Sequence, residues 1–161
     1  MNRTNVAIVI GLVVSCLATA RAEADAAALF TSPSALRLVG TPRAGERLPV
    51  VVFLSATNGL SEDMFQRSVD ALPFDRFVAV LPPGRPSSSD YLPDFSGFVS
   101  AIDARLTADL ATAREQYAVD AERIYLIGFS LGGDTAYALL MRHPEVYRGA
   151  VVVGSRSSAQ P

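Results

Sequence analysis

The sequence has 161 residues, the length of one domain; half of them are hydrophobic and 19% are charged, which excludes a disordered or collagen-like chain. The 14 basic residues are all arginine and face 16 acidic residues without any basic run, so we expect no nucleic-acid partner. One cysteine and one histidine exclude a disulfide scaffold and a metal site built from several such residues, and we expect neither a metal nor a cofactor.

The first 22 residues have the pattern of a secretory signal peptide. Arg3 precedes an apolar run at residues 6–18, and small residues with A-x-A spacing follow up to Ala22. The run is shorter than the roughly 20 residues that a membrane-spanning helix needs. The pattern predicts that residues 1–22 are removed and that the mature chain is exported, to the periplasm or out of the cell.

Cys16 gives the same segment a second interpretation. Residues 13–16, Val-Val-Ser-Cys, resemble the lipobox of bacterial lipoproteins, in which the cysteine becomes the lipidated first residue. A lipidated Cys16 would anchor the protein to a membrane. Both interpretations, cleavage after Ala22 and lipidation at Cys16, stay open.

Apolar runs and amphipathic stretches alternate along the rest of the sequence. Continuous apolar runs rich in β-branched residues predict buried strands at residues 48–54, 77–81, 124–127 and 149–154, with a short additional strand at 36–39. Apolar residues at helical spacing predict three helices, from Ser61 to near Pro73, from 95 to 117 and from 131 to 142. Residues 82–93 contain four prolines and are predicted to be a loop.

This order predicts an α/β fold, a mostly parallel sheet with helices on both faces. The core domain covers residues 48–155, after an N-terminal segment of residues 23–47 and before a solvated tail of residues 156–161. We expect the loop at residues 82–93 to overhang the carboxyl ends of the strands, where ligands bind in this architecture. Its Tyr91 and Leu92 either line a pocket or anchor the loop to the core.

A G-x-S-x-G motif lies where a predicted strand meets a predicted helix. Ser130 stands between Gly128 and Gly132, and Gly133 follows. A sharp strand-to-helix turn needs small residues on both sides of the serine, and it lifts the serine hydroxyl above the strand ends. The turn also aims the N–H of Leu131 toward any oxyanion that forms there. The motif therefore indicates a nucleophile; the alternative is a glycine-rich turn in which Ser130 only caps the helix.

The segment around this motif resembles the α/β-hydrolase superfamily, in particular secreted esterases and polyhydroxybutyrate-depolymerase-like enzymes. The resemblance covers about residues 48–155 and is most specific at residues 119–133. It implies that Ser130 attacks a small-molecule or polymeric ester. It also implies that the loop after the first buried strand supplies a second oxyanion N–H, for which Thr57 is the candidate. The family usually has His-Gly at the positions of Ser55 and Ala56.

The acid and the histidine of the family's catalytic triad have no match in the sequence. In the family they follow the serine, on loops after two further strands, so the resemblance implies an incomplete fold that is truncated before both residues. The one histidine, His143, ends the helix that begins after Ser130, roughly 20 Å away at about 1.5 Å per residue, and we expect it to be structural. Asp134, close to the motif, is either a poor candidate base or a residue that favours the helix N-terminus.

The truncated order also predicts an exposed apolar strand. The run at residues 149–154 would form an edge of the sheet, and exposed apolar edges invite pairing, so we expect a partner or a second copy to cover it.

Two functions stay open from the sequence. The first is an exported serine hydrolase of the carboxylesterase type, with acyl transfer through Ser130 and with the general base and acid missing from this chain. The second is a catalytically inactive α/β-hydrolase-like binding module, or a fragment of a longer enzyme.

Overall fold

The computed structural model describes residues 33–156. The strands are β1 (Ala35–Val39), β2 (Leu48–Leu54), β3 (Phe77–Leu81), β4 (Val119–Phe129) and β5 (Gly149–Val153). The helices are α1 (Glu62–Asp70), α2 (Ser88–Tyr91), α3 (Phe95–Gln116) and α4 (Leu131–Arg142). The predicted signal peptide, Cys16 and residues 157–161 of the predicted tail lie outside the described residues. No helix in the described part combines the length and the apolar character that crossing a membrane requires.

The strands form one mixed sheet in the order β1-β3-β2-β4-β5. β2 pairs in parallel with both β3 and β4, and β4 pairs in parallel with β5. β1 pairs antiparallel with β3, so this part of the predicted N-terminal segment belongs to the same sheet. After β2 the chain forms β3 on one side of β2, and it then crosses to form β4 on the other side. The carboxyl ends of β2 and β4 therefore lie at a topological switch point, where ligands bind in such sheets.

Two apolar clusters pack on opposite faces of the sheet, as the predicted α/β architecture requires. All seven residues of β2 are buried, and successive side chains point to opposite faces. Val51 and Phe53 pack with Phe65 of α1 on one face. Val52 packs with residues of α3 and α4, including Leu106 and Leu139, on the other face. Full burial of one such side chain contributes about 1.5–3 kcal/mol, so these two clusters hold the sheet and helices together.

The largest differences between the observed and the predicted boundaries lie at β4 and in the loop at residues 82–93. β4 begins at Val119, earlier than the predicted residue 124, because Val119 pairs with Leu48 across a register shift. The predicted loop at residues 82–93 contains the short helix α2, whose start is a capping box between Ser87 and Asp90. The bounds of α4 are those predicted from the sequence.

β5 is exposed along its outer side in the described part of the chain. It pairs with β4 alone there, and its valines at positions 151, 152 and 153 are 37–53% exposed. Phe129, at the end of β4, is 47% exposed beside them. The described residues thus show the apolar edge that the sequence predicts.

Candidate active site

Ser130 occupies the turn between β4 and α4 in a strained backbone conformation. Its φ of 55° and ψ of −121° make it the one non-glycine residue with positive φ among the described residues. Such a conformation costs about 1–3 kcal/mol and persists only where the surroundings enforce it. The Ser130 N–H donates to the Val153 carbonyl (2.8 Å), and its carbonyl accepts from the N–H groups of Gly133 (2.9 Å) and Asp134 (3.1 Å). Hydrogen bonds to β5 and to α4 therefore hold the strained residue in place.

The glycines around Ser130 allow the backbones of β2, β4 and α4 to approach one another closely. A Cβ on Gly128 would lie 2.0 Å from the Gly132 carbonyl oxygen, and a Cβ on Gly132 would lie 2.2 Å from the Leu54 carbonyl oxygen. A Cβ on Gly133 would lie 3.1 Å from the Cβ of Ser155. Since the first two neighbours are backbone atoms, the turn can close only with glycine at positions 128 and 132.

The Ser130 side chain does not cap α4. Its hydroxyl accepts no capping hydrogen bond from the first turn, so the alternative of a serine that merely caps the helix is wrong. Leu131 is the first residue of α4, and an N–H at that position has no acceptor within the helix. The positive end of the helix dipole lies at the same point. The hydroxyl is thus not used by the helix, while the role of the Leu131 N–H as an oxyanion donor stays a prediction.

Thr57 lies in the loop that follows β2. The Gly59 N–H donates to the Ala56 carbonyl (2.9 Å), which makes residues 56–59 a tight turn with Thr57 and Asn58 exposed at its corner. At the start of the loop, the backbone of Ser55 lies against the turn at Ser130, because a Cβ on Gly132 would lie 2.8 Å from the Ser55 carbonyl oxygen. The loop is therefore anchored beside the turn, while the role of the Thr57 N–H stays a prediction.

A cleft of about 70 Å³ opens next to this turn. Leu54, Phe98 and Ile102 contribute apolar surface to it, and Gly132 and Thr135 of α4 contribute another side. The remaining side is formed by residues 82–86 and Asp90, from the loop that the sequence predicts above the strand ends.

The other two loop residues singled out in the sequence lie elsewhere. Tyr91 packs against Phe98, with ring centroids 6.1 Å apart, and so anchors the loop to the core. Leu92 is 65% exposed.

His143 lies at the opposite end of α4 from Ser130. The helix has 12 residues, about 18 Å at 1.5 Å per residue, so the two side chains are not brought together. The His143 Nε2 lies 2.7 Å from Oδ2 of Asp103, and its Nδ1 lies 3.4 Å from Oε1 of Glu145. The hydrogen bond with Asp103 raises the pKa of His143, against a smaller opposing effect of burial. His143 therefore ties the end of α4 to α3, which is a structural role.

Asp134 is a buried carboxylate one turn after Ser130, with 3% of its surface exposed. Its Oδ1 accepts from the Ser155 hydroxyl and the Arg156 N–H, both at 2.8 Å. Its Oδ2 accepts from the Arg156 guanidinium at 3.2 and 3.3 Å. The expectation that Asp134 serves the helix N-terminus is therefore incomplete: the carboxylate fixes the chain that leaves β5. No local sequence pattern connects positions 134 and 156.

The remaining acidic residues near the site have structural partners. Asp90 accepts from the Ser87 N–H, Asp94 accepts from the Gly97 N–H (2.8 Å), and Asp63 pairs with Arg67. Within residues 33–156, no carboxylate or imidazole is hydrogen-bonded to the Ser130 hydroxyl. In the same part of the chain, no group of three or more metal-ligating side chains is placed to hold an ion.

Comparison with solved structures shows which fold this arrangement belongs to. The chain is similar to a thermostable esterase (20% identity, TM-score 0.54), over 74% of this chain and 36% of that one. It is also similar to a phospholipase/carboxylesterase from Dyadobacter fermentans (18%, TM-score 0.52), over 78% and 64% of the two chains. A third similar structure is a CE1 ferulic acid esterase from the anaerobic fungus Anaeromyces mucronatus (16%, TM-score 0.51), over 74% and 57%.

The fold is that of the α/β-hydrolases, and it is present in part. The chain spans between about one third and two thirds of the length of these similar structures. No protein-family model matches the sequence, and no curated protein is similar to it at a significant level.

Proposed function

We propose that this protein is a serine hydrolase of the carboxylesterase type, with Ser130 as its nucleophile. The observation that carries the proposal is the strained backbone of Ser130 (φ 55°) between β4 and α4. Strain of this kind concentrates at functional sites, and here it leaves the hydroxyl unused by the helix that follows it. The α/β-hydrolase fold and the esterases among the similar structures support the same class of reaction.

The proposed chemistry is acyl transfer through a covalent intermediate. The Ser130 oxygen attacks the ester carbonyl carbon and gives up its proton to a base, while the carbonyl oxygen becomes an oxyanion. The N–H groups of Leu131 and Thr57 stabilise that oxyanion. The intermediate then expels the alcohol, which takes up a proton, and water hydrolyses the acyl-serine.

We infer that the base and the acid of this reaction are not among residues 33–156. His143 is held by Asp103 at the far end of α4, and the nearby carboxylates are already hydrogen-bonded. Enzymes that lose a member of the triad keep roughly 10³–10⁴-fold catalysis over water, from the oxyanion hole and substrate binding. We therefore propose that the 161-residue chain reacts slowly, and mainly with esters that have a good leaving group.

Turnover of p-nitrophenyl butyrate tests this function, because its leaving group needs no proton to depart. We expect slow release of p-nitrophenol above the uncatalysed rate, and we expect Ser130→Ala to abolish it. The matched control is His143→Gln, which changes the one histidine but should leave the rate unchanged. Equal rates for the parent chain and Ser130→Ala would contradict the proposal.

A second candidate function is an inactive module that binds an ester or a protein partner. The observation that favours it is the absence of a base hydrogen-bonded to Ser130 among the described residues. The same observation is the reason why we expect the proposed hydrolase to react slowly. This candidate predicts no Ser130-dependent turnover from a chain that is folded by circular dichroism.

We also propose that the protein is exported, on the pattern of residues 1–22 alone. Expression of the full sequence in a bacterial host should yield a mature chain that begins at Glu23. A chain that instead begins at a lipidated Cys16 would identify a lipoprotein, and an intact Met1 would contradict export.

A further inference from the structure

Arg85 is one of the residues that line the cleft next to the turn at Ser130, and it lies in a proline-rich segment. The segment reads Pro82-Pro83-Gly84-Arg85-Pro86, and proline fixes φ at three of these five positions. The segment is also linked to the loop after β2, since the Ser55 hydroxyl lies 3.5 Å from the Gly84 carbonyl oxygen. The backbone that presents Arg85 to the cleft is therefore restricted before any ligand binds.

The side chain of Arg85 packs against Gly59. A Cβ on Gly59 would lie 2.8 Å from Cγ of Arg85 and 3.2 Å from its Nε, so the arginine lies directly on the glycine. Gly59 closes the tight turn that contains Thr57. The absence of a side chain at position 59 makes room for Arg85 between the two loops that border the cleft.

The guanidinium of Arg85 has no ionic partner within residues 33–156. Some arginines in that part of the chain are ion-paired, such as Arg37 with Glu62 and Arg105 with Asp109, and none of these lines the cleft. Asp90 also borders the cleft, but its Oδ2 accepts from the N–H and the hydroxyl of Ser87, at 2.5 and 3.1 Å. The residues that line the cleft therefore include apolar side chains and one arginine without an ion pair among the described residues.

We propose that Arg85 makes this cleft a subsite for a carboxylate, so that the preferred ester substrate carries a carboxylate at the end of a short apolar chain. The inference rests on the proposed function of Ser130. The planar guanidinium fork matches a carboxylate with two parallel hydrogen bonds. Leu54, Phe98 and Ile102 would contact the apolar part of the substrate. The charge of Asp90 in the same lining repels a doubly charged group such as phosphate more than a singly charged carboxylate group.

Binding of glutarate to the isotope-labelled chain tests the subsite without requiring turnover. Amide resonances of Ser55, Gly59 and Gly84 report on the cleft, and glutaramide is the uncharged analogue of the same length. We expect glutarate to bind more tightly than glutaramide, and we expect Arg85→Gln to weaken glutarate binding by about tenfold. The matched control is Arg114→Gln in the last turn of α3, outside the cleft, which should leave binding unchanged.

This experiment distinguishes a failure of the carboxylate subsite from a failure of the proposed hydrolase function. Ser130→Ala should bind glutarate with the affinity of the parent chain, because the assay measures binding and does not require a reactive serine. Equal affinity for glutarate and glutaramide would overturn the carboxylate subsite, and so would glutarate binding that survives Arg85→Gln. Glutarate binding that depends on Arg85, in a chain without Ser130-dependent turnover, would support the subsite and overturn the proposed hydrolase function.

Discussion

Gly132 of α4 packs directly on the backbone of Leu54 at the end of β2: a Cβ at position 132 would lie 2.2 Å from the Leu54 carbonyl oxygen. A side chain at position 132 would therefore push the turn at Ser130 away from the end of β2. We therefore expect Gly132→Ala to destabilise the fold by about 3 kcal/mol or more, in the range of severe overpacking. Urea unfolding followed by circular dichroism measures the change.

The control for that prediction is Gly149→Ala at the start of β5. A Cβ there would meet only a Tyr125 ring carbon, at 3.9 Å, which is an ordinary contact. Its free energy of unfolding should stay within about 0.5 kcal/mol of the parent value. Similar losses in both variants would show that the close approach at Gly132 is not what limits the substitution.

The strain at Ser130 predicts an unusual order of stabilities. Glycine adopts positive φ without a steric penalty, so Ser130→Gly should relieve the strain at φ 55° that Ser130→Ala retains. We expect the glycine variant to be more stable than the alanine variant by about 1 kcal/mol, although glycine raises the entropy of the unfolded chain. An alanine variant as stable as the glycine variant would contradict the strained geometry.

Asp134 should be far more important for stability than its partner Arg156. The carboxylate is 3% exposed and accepts from the Ser155 hydroxyl and the Arg156 N–H, so Asp134→Ala removes both hydrogen bonds from a buried position. We expect a loss of about 1–3 kcal/mol.

Arg156→Gln is the matched variant of the same ion pair. Its side chain is 67% exposed, and the backbone N–H that bonds Asp134 remains, so the loss should be below about 1 kcal/mol. Thermal unfolding of both variants checks the difference, and equal losses would contradict the assignment of the two roles.

The pair of His143 and Asp103 predicts a pH dependence of stability. The folded state raises the pKa of His143 above its ordinary value of 6.5, so it binds the proton more tightly than the unfolded chain does. The stabilisation is fully present below pH 6.5 and is lost as the pH rises through the raised pKa. Because the His143 side chain is 35% exposed, solvent screening limits the effect to less than about 1 kcal/mol.

Unfolding in urea at a series of pH values around neutrality measures that loss. The sequence contains one histidine, so His143→Gln should flatten the profile in this window. Asp103→Asn should flatten it as well, because it removes the main cause of the shift. A profile that keeps its slope in both variants would assign the pH dependence to another group.

Local patterns were sufficient to predict most of the architecture. Runs such as residues 48–54 are apolar without interruption, which suits a strand covered on both faces, and the structure buries all seven of these residues. The helix from 131 to 142 is bounded by the turn at Ser130 and by Pro144, so both of its ends are visible in the sequence.

The long-range contacts could not be predicted, because they join residues far apart in the chain. Asp134 meets Arg156 and Asp103 meets His143 across 22 and 40 positions. The packing of Arg85 on Gly59 depends on the relative position of two loops, which no periodicity encodes. The early start of β4 has the same origin, since the pairing of Val119 with Leu48 is a tertiary contact.

Labelling with a fluorophosphonate probe tests the nucleophilic role of Ser130 most directly, because the probe reports attack by the serine and needs no later step. The folded chain should be labelled slowly, and peptide mass spectrometry should place the label on Ser130, with no label in Ser130→Ala and an unchanged rate in His143→Gln. A folded chain that shows no label at Ser130 above the Ser130→Ala background would contradict the assignment of Ser130 as the nucleophile.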